Sequence, residues 1–146
     1  MKQSVLMALA VALAACGGPR SGPEPIHYDR DTCEQCRMII SDSHFAAEVR
    51  DAGGVLHRFD DPGGAIVWMD AHKVDPAKAG VWVMNMHDGK TWLDAHKAYF
   101  ITVQATPMDY GYGAIAKPAT GALDFDAFRA KILARKDRAM TGGAKP

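Results

Sequence analysis

The 146-residue chain is poor in cysteine, with three, and carries no net charge. Three cysteines are too few to staple a disulfide scaffold, and the odd count leaves at least one with a chemical role. The 17 basic and 17 acidic residues cancel. No field of one sign selects nucleic acid or an anionic lipid surface, and both partner classes are set aside. The six histidines never fall at His-x-x-x-His or His-Glu-x-x-His spacing, which excludes a zincin-type helix site. There is no phosphate loop and no nucleophile constellation, so the chain reads as a binding protein and not as an enzyme. No apolar run reaches the ~20 residues of a membrane-spanning helix.

What is present is a globular composition, 48% hydrophobic and 23% charged, in a length that favours one domain. A short basic start precedes the apolar run of residues 4–15, which ends at Leu13-Ala14-Ala15-Cys16. This reads as a secretory signal over residues 1–15. Its ending resembles a bacterial lipobox, which implies cleavage before Cys16 and lipidation of that residue. A second acyl chain matters because one chain anchors only marginally. Residues 16–27, rich in Gly, Pro and Ser, read as a flexible tether. The domain is expected over residues 28–138 and a frayed tail over 139–146.

The densest chemistry lies at Asp31-Thr32-Cys33-Glu34-Gln35-Cys36-Arg37-Met38. A C-x-x-C pair closes a disulfide, exchanges with one, or binds a metal. Met38 favours metal, and a soft one, because a thioether suits Cu(I) and serves hard ions poorly. A thiol-disulfide oxidoreductase remains the competing reading, although the pair opens the domain without the preceding strand that a thioredoxin-like setting supplies. Covalent haem is excluded, since Arg37 and not His follows Cys36.

Downstream, alternating apolar residues predict a hairpin of residues 45–50 and 55–60 around the turn Asp51-Ala52-Gly53-Gly54. His57 falls on its more apolar face, as a core histidine or an imidazole ligand. Asp60 or Asp61 caps a helix that Pro62 opens and that ends near His72. Residues 81–86 predict a central strand, with Met84 and Met86 as core or as metal relay. Residues 91–103 read as strand-like. Thr106-Pro107-Met108 begins a tight loop toward a strand at 114–116, where Tyr110 and Tyr112 fit either core packing or a docking surface. A last amphipathic helix covers residues 124–138. The remaining histidines read as surface residues, with His44 and His96 as further copper candidates.

Taken together, Asp31 to Met38, Arg58-Phe59-Asp60-Asp61, Trp92-Leu93-Asp94-Ala95 and Thr106-Pro107-Met108 with Gly111 and Gly113 resemble the NosL family. Its members are lipoprotein accessory proteins of nitrous-oxide reductase. The resemblance implies an α+β fold of two ββαβ-like units around small sheets, as a single exported domain behind the lipoprotein leader. It implies a Cu(I)-binding metallochaperone, lipid-anchored and periplasm-facing in the cell envelope. Its copper would pass to a membrane assembly machinery that matures nitrous-oxide reductase for denitrification. Carried over by motif, the metal residues are Cys33, Cys36, Met38 and Met108; His57 is the best imidazole beside them. Two positions depart from the family pattern, with Arg37 and Asp109 where glycines are usual. A left-handed backbone there would strain Arg37, while Asp tolerates it better.

Overall fold

The computed structural model describes residues 21–141. The signal, Cys16 and the last five residues lie outside the described residues. Among those described, no helix is long and apolar enough to cross a membrane.

The predicted hairpin forms from β1 (Ala47–Arg50) and β2 (Leu56–Phe59). Asp51 makes its turn: the carboxylate accepts the Gly53 and Val55 N–H groups, both at 2.9 Å. Such self-bonding is why Asp favours turns. The register pairs Ala47 with Phe59 and Val49 with His57. One face is therefore apolar, while Glu48 and Arg58 share the other. β3 (Gly80–Met84) pairs with β1, and β4 (Trp92–Asp94) with β3, giving the antiparallel order β2-β1-β3-β4. β3 thus sits inside the sheet, as its two-faced apolarity requires.

Helix α1 (Pro62–Ala71) covers the Val49 face and is buried along nearly its whole length. It ends with Lys73 in the left-handed region, where the Val74 N–H reaches the Met69 carbonyl and the Lys73 N–H reaches Asp70. This satisfies carbonyls that a helix end would otherwise orphan. A second sheet pairs β5 (Tyr99–Thr102) with β6 (Tyr112–Ile115). Helix α2 (Phe125–Thr141) packs on it through Phe128, whose ring stacks on Phe100 at 4.0 Å. A parallel bridge between Asn85 and Ala114 joins the sheets.

The fold is α+β, with two helices and two small antiparallel sheets. The first unit runs β1-β2-α1-β3 and the second repeats β5-β6-α2 after β4 has joined the first sheet. Two differences from expectation go beyond shifts of one to three residues at element ends. The strand-like run 91–103 breaks into β4 and β5, because Asp94 accepts the Lys97 and Ala98 N–H groups on its carbonyl and His96 N–H on its carboxylate. Residues 22–26, placed by composition in the tether, lie instead on the outer face of the sheet. Arg50 holds the Gly22 carbonyl and Glu24 at 3.0 Å each, the Glu24 N–H donates to Glu48, and Ile26 is buried.

Glu48 is fully buried and paired to Arg58 at 3.1 Å. Burial pushes its carboxyl up, against the hydrogen bonds from Glu24 and Arg58. Losing one partner of such a pair strands a buried charge. Arg58→Met is expected to cost about 3 kcal/mol at neutral pH in urea unfolding. The loss shrinks as pH falls and Glu48 takes up its proton, and Arg58→Met/Glu48→Gln recovers most of it.

Candidate metal centre

Three segments meet beyond the end of β2. The first is the thiol turn. Thr32 and Ile39 form an antiparallel bridge, the Cys33 N–H donates to the Met38 carbonyl at 2.8 Å, and the Arg37 N–H to the Cys33 carbonyl at 3.0 Å. This closure needs a left-handed residue, and Arg37 has φ 64°. The turn sits on the sheet edge through the Glu34 N–H, which donates to the Arg58 carbonyl.

The second segment is the β2–α1 corner. Asp61 is the helix cap and is fully buried. Its carboxylate accepts the Gly63 N–H, the Thr106 hydroxyl and the Met108 N–H. Burial pushes its carboxyl up, and these hydrogen bonds oppose that. The third segment is the loop from Thr106, which Asp61 therefore holds against the helix start. Asp109 is left-handed at φ 57°, so both positions where the resembled family carries glycine have the backbone that favours it. Arg135 of α2 steadies the loop from its far side, donating to the Tyr110 carbonyl at 3.2 Å. The Tyr110 ring lies so close to the helix start that a Cβ on Gly63 would come within 2.3 Å of it.

Cys33, Cys36 and Asp60 come together here, with one ligand atom from each lying within 4.8 Å of the others. Both cysteines are free thiols. Cys33 is buried and Cys36 half-buried. The Cys36 N–H points at the Cys33 sulfur at 3.5 Å, and the Cys36 thiol donates to Asp60 Oδ2 at 3.3 Å. Burial, with hydrogen bonds to Cys33 and Asp60 that keep its proton in place, pushes the Cys36 thiol up to about 12; the Met38 N–H opposes this. Asp60 is 4% exposed, and its Oδ1 is buried without a hydrogen-bond partner among the described residues. A buried carboxylate oxygen left unpaired is costly unless something occupies it. That orphan atom, beside two converging thiols, fits a metal ion.

The other sequence-expected residues are placed as follows. Met38 follows directly on the thiol turn and is 62% exposed. Met108 is half-buried on the Asp61-held loop. His57 stands apart from the three groups. Its Nε2 lies 3.1 Å from Asp51, its Nδ1 is 4.0 Å from Glu34, and its ring packs on Trp68 at 4.2 Å. His44 pairs with Asp42 and His96 packs on Phe125. Cys16 lies outside the described residues. Asp60 was not read as a ligand from sequence. The available signal was the doubled acid of Asp60-Asp61-Pro62, because one helix start takes one cap and leaves the second carboxylate for other work.

The fold is a small α+β domain whose corner gathers two thiols and a carboxylate that could hold a metal ion. Among solved structures, the chain is similar to the crystal structure of the copper chaperone NosL from Shewanella denitrificans. That match has a TM-score of 0.59 and 15% identity, and covers 77% of this chain and 89% of the other. The fold is NosL-like. No family model matches the chain, and no curated protein does.

Two outcomes follow. Arg37→Gly keeps the turn and raises stability by about 0.5–1 kcal/mol, since glycine adopts left-handed backbone without the Cβ penalty; urea midpoints check this. Binding of a metal ion by the two thiols would displace the Cys36 proton. Apparent affinity is therefore expected to rise about tenfold per pH unit for each proton released, measured by titration between about pH 6 and pH 8.

Proposed function

We propose that this chain is a Cu(I)-binding metallochaperone that carries copper as cargo. The observation that carries this reading is the pair of free thiols, Cys33 and Cys36, converging beside an unpaired buried carboxylate oxygen on a NosL-like fold. Soft sulfur donors favour Cu(I), and two further sulfur donors are proposed from neighbouring segments: Met38, which ends the thiol turn, and Met108, on the loop held by Asp61. The donors are graded in exposure: Cys33 is buried, Cys36 half-buried and Met38 open to solvent. A partner's Met, Cys or His enters from the Met38 side and takes a place on copper before the buried sulfur leaves, so the ion is never released free.

The client is the assembly machinery that builds the copper centres of nitrous-oxide reductase, a membrane partner suited to a tethered donor. The basic start, apolar run and Leu13-Ala14-Ala15-Cys16 support a lipid-anchored, periplasm-facing position. The rival thiol-disulfide reading needs an attacking cysteine with a lowered pKa. Cys33 is buried away from a partner disulfide and Cys36 gives its proton to a hydrogen bond with Asp60, an arrangement that favours a metal carrier over an exposed redox thiol.

The test is titration of the full chain, thiols reduced, with Cu(I) against a chromophoric chelator. Equimolar uptake is expected, abolished in Cys33→Ser/Cys36→Ser and weakened in Met108→Ala without a change in the thermal melt. Undiminished affinity in the double-serine variant would contradict the site.

A further inference from the structure

The chain enters the first sheet at one end and reaches the thiols at the other. Arg50 grips the entry, donating to the Gly22 carbonyl and to the Gly54 carbonyl at 3.0 Å each. Gly22 therefore lies beside the tip of the β1–β2 hairpin. From there the segment climbs the outer face of the sheet. The Glu24 N–H donates to Glu48, two residues further from the tip on β1, and Ile26 is buried. Asp60 follows the opposite end of β2, and strand rise puts it about 13 Å beyond Leu56.

We propose that the hairpin end of the domain, residues 52–55 with Lys73 and Lys78, is a surface that rests on the lipid bilayer and leaves the thiol turn facing away from it. The proposal rests on the reading of Cys16 as the lipid-bearing residue and extends it to the domain's orientation.

Reach is the first argument. Only residues 16–21 lie between the anchor and the gripped Gly22, and fully extended they span at most about 20 Å. A domain of this length is roughly 35 Å across. With the hairpin end down, the leash meets the bilayer with slack. With the thiol turn down, the same leash has to cross the whole domain and falls short by about 15 Å.

The chemistry of that end is the second. Ala52, Gly53 and Gly54 are exposed, and Val55 beside them is 55% exposed. Lys73 and Lys78 are exposed and line one cleft with the hairpin turn, Asp51 and Asp75. The two acids are engaged locally: Asp51 by the Gly53 and Val55 N–H groups and His57, Asp75 by the Ala77 N–H and Lys78. A lysine stem carries its ammonium to headgroup phosphates while small apolar neighbours sit against the surface. The chain has no net charge, so the leash, and not a field, brings this end to the bilayer.

The test uses the full chain, exported and lipidated, in vesicles of phosphatidylethanolamine and phosphatidylglycerol. Flotation with the vesicles comes first, and a chain that fails to float would overturn both the anchor and this proposal. On floating protein, a water-soluble acetylating reagent is applied and each lysine is followed by mass spectrometry, against the same protein in detergent. Acetylation of Lys73 and Lys78 is expected to slow about fivefold on vesicles, with Lys117 and Lys131 within about twofold. Equal slowing at all four, or slowing at Lys117 and Lys131 alone, would overturn the proposal and leave the anchor standing. A Gly/Ser insertion after Arg20, long enough to span the domain, leaves every described residue in place. It is expected to keep flotation and to return Lys73 and Lys78 to their detergent rates, and slowing that persists would overturn the part assigned to the leash.

Discussion

The carboxylate of Asp61 is the contact on which the site depends. It is fully buried and spends its oxygens on three donors from two distant parts of the chain: the helix start at Gly63, the Thr106 hydroxyl and the Met108 N–H. Without it, α1 loses its cap and the Thr106 loop loses its seat together, because one group serves both. Its neighbour Asp60 is fixed by the same corner and turns to the Cys36 thiol. Two consecutive acids thus reach opposite ways, one to hold the scaffold and one to meet the thiols. The burial that raises the Asp61 carboxyl also excludes water from the bonds it accepts, and so strengthens them.

The rest of the fold supplies rigidity to that corner. β2 delivers Asp60 and Asp61 from inside an antiparallel pair, with Phe59 fully buried just before them. The Phe100–Phe128 stack sets α2 on the second sheet, and Arg135 of that helix reaches back to the Tyr110 carbonyl. Lys136 pairs with Asp70 at 2.9 Å, tying α2 to α1. The Thr106 loop is therefore held from the helix it faces and from the helix behind it. The proposed carrier role asks for this combination, with sulfurs preorganised on the buried side and open on the other. The gradient from buried Cys33 to exposed Met38 supplies it within six residues.

Much of this was legible in the sequence. Alternation gave the hairpin, Asp-Pro gave the helix start, and the two-sided apolar run gave an inner strand. Soft donors in one short stretch marked the thiol turn, and the left-handed backbone at Arg37 and Asp109 falls where the resembled family carries glycine. What was hidden depends on contacts across the chain. Nothing local in Gly22 or Glu24 announces that Arg50 and Glu48 will bind them, so composition placed them in the tether. The break at Asp94 turns on side-chain self-bonding that outweighs the strand propensity of its neighbours. Asp60 looked like one of two interchangeable caps. Only the fold brings it to Cys36 over a separation of 24 residues. His57 presented an imidazole on an apolar face, and only the folded hairpin reveals Asp51 at its Nε2.

The central claim is that sulfur from the Cys33–Met38 turn holds the cargo. Copper-edge X-ray absorption on the Cu(I)-loaded full chain tests it most directly. A shell of two or three sulfur neighbours, without the outer scattering pattern of an imidazole ring, is the predicted result. A shell of nitrogen and oxygen donors alone would contradict the account and move the copper site away from the thiol turn.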